Sequence, residues 1–390
     1  MKITFVSGWP INDAKAFSGT PYYMAKAFKE RPEFGEAIEV TQGNIDLKRK
    51  GTNSKNIEEI VKAGDYLSQK IKSSKSDVVV CLGGHMIPYL KTDKPIVLWH
   101  DSTWLGLMDL DFHQFSVQHP ILFDLDNLIL EKCKLVIFAA DWLRDLTLSN
   151  YKIAPEKIHV VPFGANLDNV PENKREDLFA NRAPNHCQIT FIGKEWARKG
   201  LPTAVNLNRE LNRLGLKSSL NVIGNTVVPY NPSLRRRLAT FVGLRSYSEM
   251  ELFRMKYQED KNVKTYGFLD KANPDQYVKF QDVMRQTHFL VHPAHFECYG
   301  IVMAEANAHS VPVLATDKYG PKTIVRNGVN GFLFDQTDFV HSAATKILSL
   351  MKDYPAYLDL ATSSYREYNE RLNWKVAVNR VVDLIQSYCL

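Results

Sequence analysis

The chain is poor in the features that announce many common site chemistries. Its five cysteines, at 81, 133, 187, 298 and 389, are odd in number and form no CxxC pair. That argues against a disulfide framework and a cysteine zinc site, and points to a reducing compartment. No apolar run approaches the ~18 residues that a membrane-spanning helix needs. The apolar start, MKITFVSGWP, is too short for a signal peptide. Neither GxGxxG nor a Walker-type GxxxxGK is present. Charge of one sign is not concentrated either: the net charge is +6, and basic triplets occur only at 48–50 and 235–237. Those triplets read as solvated faces or loops. Such a balance suits an anionic ligand or a bilayer surface and is too mild to argue for nucleic acid. The expectation is a soluble cytoplasmic enzyme, with peripheral contact at the inner face of the membrane left open.

What the chain does have is length and alternation. At 390 residues it exceeds one typical core, so two domains are expected. Apolar residues at 45% and charged residues at 24% are ordinary for a globular protein. Short apolar runs alternate with longer amphipathic ones, which predicts parallel strands joined by crossover helices. In the first half the strands read as 3–6, 78–82, 96–99, 135–138 and 159–161, with helices over 20–30, 57–72 and 121–131. Residues 171–186, charged and proline-bounded, read as a linker. The alternation restarts with strands at 188–192, 220–223, 263–266, 289–291 and 311–315. The predicted fold class is α/β: two facing Rossmann-like doubly wound domains, 1–167 and 186–373, with the site in the cleft between them. The amphipathic stretch 374–390 is expected to cross back onto the first domain. The segment 226–260 is longer than a simple crossover, and its role is not readable.

Site chemistry is sought in the loops that follow strands. Glu297 and Glu305 are the most informative pair. They bracket Cys298-Tyr299-Gly300 and what reads as the start of a helix, between two buried strands. A helix N-terminus after a tight loop is an anion site, because free N–H groups and the helix dipole converge there. Phosphate on that terminus and hydroxyls on the two acids would suit a nucleotide-sugar. Four other loops carry weaker signals. Ser18-Gly19-Thr20 precedes a helix and is either a phosphate-approach turn or an ordinary N-cap. His100-Asp101-Ser102 ends a strand, where an imidazole either bonds a sugar hydroxyl or fills a structural role. Gly193-Lys194 leads to Arg198-Lys199-Gly200, whose cations could neutralise a diphosphate leaving group. Gly224 and Gly267-Phe268-Leu269 follow two further strands and are either walls for a flat nucleobase or plain turns.

Taken in order, FIGK, RKG, LNVIGN, YGFL, HPAHFECYGIVMAEANA and VPVLAT resemble the retaining GT-B glycosyltransferases of the family-4 type. The resemblance covers essentially the whole chain and is strongest from about 160 to 335; its E-x7-E signature is specific. It implies roles residue by residue. Glu297 would contact hydroxyls of the donor sugar, and Glu305 the nucleotide ribose. Backbone amides of Gly300, Ile301 and Val302 would hold the diphosphate, with Lys199 as a further ligand. Phe268 and Leu269 would lie at the base, His100 near the reacting sugar, and Gly19 opposite the donor phosphates. Many members carry Gly-Arg where this chain has Gly193-Lys194, and lysine offers a point charge but no bidentate fork. The implied activity is retaining transfer of a hexose from a nucleotide-diphosphate sugar to a glycan, lipid-linked or small-molecule acceptor. No metal or other cofactor is expected. Front-face attack is favoured, since the motif acids are assigned to binding. Asp101 is a candidate for orienting His100 or contacting the acceptor.

Three other readings stay open. The DxD matches at 109–111 and 124–126 are where a metal-dependent transferase of the other major fold would hold a cation. A nucleotide-sugar epimerase shares the two-domain fold. A non-catalytic binding subunit would keep the fold without turnover.

Overall fold

The computed structural model describes residues 1–40, 54–109, 120–168, 170, 181–224, 249–256 and 260–389, with short pieces at 233–234, 240 and 246–247. The two basic triplets, residues 171–180 of the expected linker 171–186 and most of the segment 226–260 lie outside the described residues.

Two six-stranded sheets form, and every strand pair in them is parallel. The first contains β1 (Ile3–Ser7), β2 (Phe34–Glu39), β3 (Val78–Leu82), β4 (Ile96–His100), β5 (Leu135–Phe138) and β6 (Ile158–Val160), in the order 2-1-3-4-5-6. The second contains β7 (Cys187–Gly193), β8 (Ser218–Gly224), β9 (Val263–Gly267), β10 (Phe289–His292), β11 (Val313–Thr316) and β12 (Gly331–Phe334), in the order 12-11-10-7-8-9. The predicted strands recur within two residues at each boundary. Two strands, β2 and β12, are additional, and both are sheet edges. β2 buries only Ile38, and β12 is half-exposed beyond Gly331. An edge strand covered on one side lacks the continuous apolar run that marks a strand buried on both faces.

The central strands explain why the sheets are sandwiched. β1, β3 and β5 are buried at every residue. Helices α1 (Thr20–Lys29), α2 (Ser54–Ser73), α3 (Trp104–Asp109), α4 (Pro120–Lys132) and α5 (Asp141–Asn150) serve the first sheet. The second half adds α6 (Leu201–Arg213), α7 (Glu249–Lys256), α8 (Pro274–Gln286), α9 (Ile301–Ala308), α10 (Pro321–Ile324), α11 (Phe339–Lys352), α12 (Tyr354–Arg371) and α13 (Trp374–Tyr388). Asp126, the second acid of the DxD match on α4, accepts hydrogen bonds from the Tyr151 hydroxyl (2.7 Å) and from the Leu105 (3.1 Å) and Trp104 (3.3 Å) N–H groups. It caps α3 in the core and has no access to a ligand. In the other match, Leu110 and Asp111 lie outside the described residues.

One apolar core runs through both domains. Helix α13 buries Val378, Val381, Val382 and Ile385, and Arg31 of the first domain donates to Asn379 at 2.9 Å. At its start, Trp374 meets Trp99 and Phe163 at ring-centroid distances of 5.7 and 5.5 Å, and its N–H donates to Asn166 Oδ1 at 2.9 Å. Gly164 lets this happen, because a Cβ there would fall on the backbone of Asn373 and Trp374. Tyr299 closes the knot, with its ring 5.4 Å from Phe163 and its hydroxyl donating to the Phe163 carbonyl at 2.5 Å.

Candidate active site

A cavity of about 400 Å³ opens where the carboxyl ends of the two sheets face each other. Strand-to-helix loops of both domains line it, as expected of doubly wound sheets. It brings together Asp101, Gly193, Lys194, Lys199, Phe268, Leu269, Glu297, Gly300, Ile301, Val302 and Glu305 from the sequence-predicted set.

The second-domain wall is built around α9. Gly300 adopts φ 93°, the left-handed conformation that glycine takes without strain, and no side chain caps the helix that follows. The first N–H groups of α9 therefore open on the cavity, as an anion site requires. Gly200 plays the same part before α6, at φ 81°, and a Cβ there would collide with the Pro293 carbonyl.

Each predicted acid is already engaged by a cation. Glu297, 8% exposed, forms an ion pair with Lys199 and accepts from His292 Nε2 at 3.0 Å. His292 ends β10, and burial drives its imidazole well below the ordinary value, so it donates to Glu297 as a neutral ring. Burial, followed by the Arg198 charge, pulls Lys199 down to about 7. Cys298, Glu195 and Asp101 oppose that effect, and a carboxylate in contact with the amine, here Glu297, favours its charged form. Glu305 is 2% exposed, and its pKa is raised by burial against the pull of Lys271, its ion-pair partner. Lys271 also donates to the Asn166 carbonyl at 2.8 Å, so it ties this acid to the end of the first domain.

Lys194 lies with its Nζ 4.4 Å over the Phe268 ring, which is 45% exposed, whereas Leu269 is buried. The lysine that departs from the family's arginine is therefore at the cavity, held by a cation–π contact.

The first domain contributes Asp101 directly. Burial raises its carboxyl to about 7, opposed by its own backbone N–H and by Lys199. His100 stands one step back and does not line the cavity. Burial, reinforced by His85, lowers it to about 3, so it is a neutral ring. Its Nε2 lies 3.2 Å from Ser102 Oγ, while its Nδ1 makes no hydrogen bond among the described residues and sits 3.5 Å from Asp101. Gly19 is likewise off the lining, with its neighbours Ser18 and Thr20 on it. At φ 91° it turns the chain into α1.

Several residues in the cavity or behind it were not anticipated. Lys15, after β1, forms an ion pair across the cleft with Asp270 at 2.8 Å. Lys271 follows two positions after Leu269, and that loop position at a strand's carboxyl end was the available signal. Trp142, at the start of α5, donates to the Cys298 carbonyl at 2.7 Å. Beside it, Thr323 accepts from the Asp141 N–H at 2.8 Å. The first domain thus holds the very loop that carries Glu297.

Comparison with known proteins follows this geometry. Residues 199–367 match the family model described as glycosyl transferases group 1. A sucrose synthase from Melioribacter roseus is 28% identical over 155 residues, covering 36% of this chain and 19% of that protein. D-inositol 3-phosphate glycosyltransferase 1 from Catenulispora acidiphila is 24% identical over 271 residues, covering 65% of this chain and 58% of its own length. The chain thus spans less than two thirds of these curated relatives. Among solved structures, Anabaena HepE in complex with UDP and glucose superposes with a TM-score of 0.66 at 16% identity, over 99% of this chain and 100% of that one. That likeness establishes the two-domain GT-B fold. The segment that holds both acids, in the second domain, is thus similar to the group 1 glycosyl transferases.

Proposed function

We propose that the protein is a retaining glycosyltransferase that moves a hexose from a nucleotide-diphosphate sugar to a hydroxyl acceptor. The observation that carries this reading is the cavity itself. One space of about 400 Å³ joins an uncapped helix N-terminus, two acid–lysine pairs and, from the opposite domain, a carboxyl raised to about 7. Two of the relatives named above are called a sucrose synthase and a D-inositol 3-phosphate glycosyltransferase, and HepE is bound to UDP and glucose, which supports the same reading.

Each group then has a task. The diphosphate seats on the N–H groups of Gly300, Ile301 and Val302 and takes the Lys199 ammonium as counter-charge. Lys199 leaves Glu297 as it does so, which frees the carboxylate for hydroxyls of the donor sugar. Glu305 receives the ribose hydroxyls, and Phe268 with Lys194 flanks the base. As the glycosidic bond to the diphosphate breaks, negative charge grows on the leaving oxygen, where Lys199 and the helix dipole stabilise it. The acceptor oxygen attacks from the same face, and its proton passes to the departing diphosphate. Asp101 orients that acceptor hydroxyl, and His100 supports Asp101 from behind. The charge stabilisation needs no metal ion, so EDTA should leave turnover unchanged.

A thermal-shift screen against UDP-, GDP-, ADP- and TDP-sugars tests the donor. A ligand at 100 times its Kd stabilises the folded state by about 2.7 kcal/mol, so a true donor should stand out. Incubation of the hit with acceptor, followed by NMR of the anomeric proton, tests retention. An inverted product, or conversion of donor to its epimer without acceptor, would overturn the mechanism.

A further inference from the structure

The first-domain wall of the cavity holds a group of rings that the donor chemistry leaves unused. Trp9, Phe17, His85 and His100 gather beyond the carboxyl ends of β1, β3 and β4. Trp9 and Phe17 stack with centroids 4.5 Å apart and planes 15° from parallel. His85 meets Trp9 edge-on at 6.0 Å, and His100 tilts against Trp9 and Phe17 at 5.9 and 6.0 Å. Glycines on two loops make the group possible. A Cβ on Gly83 would come within 2.9 Å of the Trp9 ring, and one on Gly8 would collide with the His85 ring.

Of the two stacked rings, Phe17 lines the cavity and Trp9 backs it. The backbone is bent to place it there. Phe17 and Ser18 have φ of 45° and 60°, and Gly19 follows at 91°. Left-handed conformations at two successive non-glycine residues are costly, and they persist where surrounding structure holds them. Here the Trp9 stack holds the Phe17 ring, and Asn166 donates to the Ser18 carbonyl at 2.9 Å. Asp101 lines the same cavity, so an aromatic face and a carboxyl open on one space opposite Glu297.

A pyranose ring matches both features. One of its faces is a patch of C–H groups, which the negative face of an aromatic ring attracts, and its edge carries hydroxyls that need a hydrogen-bond partner. An open-chain polyol has no continuous C–H face, and an acyl chain makes no use of a carboxyl. We propose that Phe17, backed by Trp9, is the platform on which the acceptor's sugar ring stacks, with Asp101 holding one of its hydroxyls. The acceptor is then the pyranose end of a glycan. This rests on the glycosyl-transfer reading given above.

The test uses the full chain with UDP bound and three probes: methyl α-glucopyranoside, methyl α-mannopyranoside and glycerol. Saturation-transfer NMR should show at least one pyranoside binding, with the strongest transfer to C–H protons of one ring face, and no signal from glycerol. Phe17→Ala should weaken pyranoside binding about tenfold, and Phe17→Tyr should restore it. Both variants should keep the wild-type thermal shift with UDP, which shows that they fold. Equal pyranoside affinity in wild type and Phe17→Ala would overturn the platform. So would binding of neither pyranoside to a wild type that binds UDP. If the wild type fails to bind every nucleotide tested, the donor reading falls, and this proposal with it.

Discussion

The two walls of the cleft are built from different materials. On the second-domain side, charges stand in buried pairs, Lys199 with Glu297 and Lys271 with Glu305, over an uncapped helix. On the first-domain side stand stacked rings, one carboxyl and Lys15, which pairs with Asp270 across the cleft. A buried ion pair is expensive to leave half-made, so a ligand that separates one must bring charges of its own. A diphosphate does that and a neutral sugar does not. The ring wall has the opposite preference, because its ammonium, Lys15, is already taken up by Asp270 across the cleft. Under the proposed function the contrast divides the labour: the charged wall takes the nucleotide, and the ring wall takes what receives the sugar.

The largest effect should come from removing what both walls share. Deletion of residues 374–390 would expose the apolar face of α13's partner surface together with Trp99 and Phe163. Five large apolar side chains of α13 are buried, each worth about 1.5–3 kcal/mol, against a typical net stability of about 5–15 kcal/mol. The truncated chain should lose its cooperative thermal transition, and a retained transition with normal turnover would refute the docking role.

Glu297→Gln strikes the charged wall alone. Turnover should fall about 10²–10³-fold with donor binding largely kept, as measured by initial rates and calorimetry. The second pair tests whether burial of charge is the governing term. Lys271→Met should cost about 3–5 kcal/mol in urea unfolding, because it strands the Glu305 carboxylate. Adding Glu305→Gln should recover most of that loss while leaving the donor KM raised, and additive losses would contradict the pairing.

Asp101→Asn probes the one carboxyl of the ring wall through pH. Its folded pKa, about 7, lies above its ordinary value of 3.8. Between those values the folded state binds more protons than the unfolded one, so this group's contribution falls as pH rises. The variant should therefore gain stability relative to wild type from pH 4 to 7 and hold a constant gain above. A gain independent of pH across that window would count against it. The smallest effect is expected from Trp142→Phe, which keeps a ring and removes the hydrogen bond to Cys298. Turnover should drop about three- to tenfold with nucleotide affinity unchanged, since a misplaced Glu297 loop affects the reacting sugar more than the phosphates.

How much of this was legible depended on the kind of constraint. Ten of the twelve strands were readable because central parallel strands are continuous apolar runs; β2 and β12 were missed as half-exposed edges. The charged wall was readable because anion binding demands particular residues around a helix start, and Glu297, Lys199 and Gly300 stand in such a pattern. The partners of those acids were not. His292 reads as the end of a strand, and only the fold of the loop turns the carboxylate five residues on back to its ring; Lys271 reads as a loop lysine, 34 residues from Glu305. Phe17 was hidden for a further reason: a phenylalanine before Ser18-Gly19 reads as a core residue unless its backbone conformation is known. His100 shows the converse, a residue with a suggestive position whose ring proves to be packed behind Asp101.

The sequence by itself determined the two parallel sheets, the loops that end their strands and the acids poised at a helix N-terminus. Period, apolar runs and glycine placement act over a few residues, and such constraints are written locally. Only the tertiary structure decided that Glu297 meets Lys199 and His292, that Lys271 bridges Glu305 to Asn166, and that Trp142 of one domain grips the acid loop of the other. Those contacts join residues as far as 156 positions apart. They exist because packing of two domains and a returning helix brings the chain together, which no local pattern encodes.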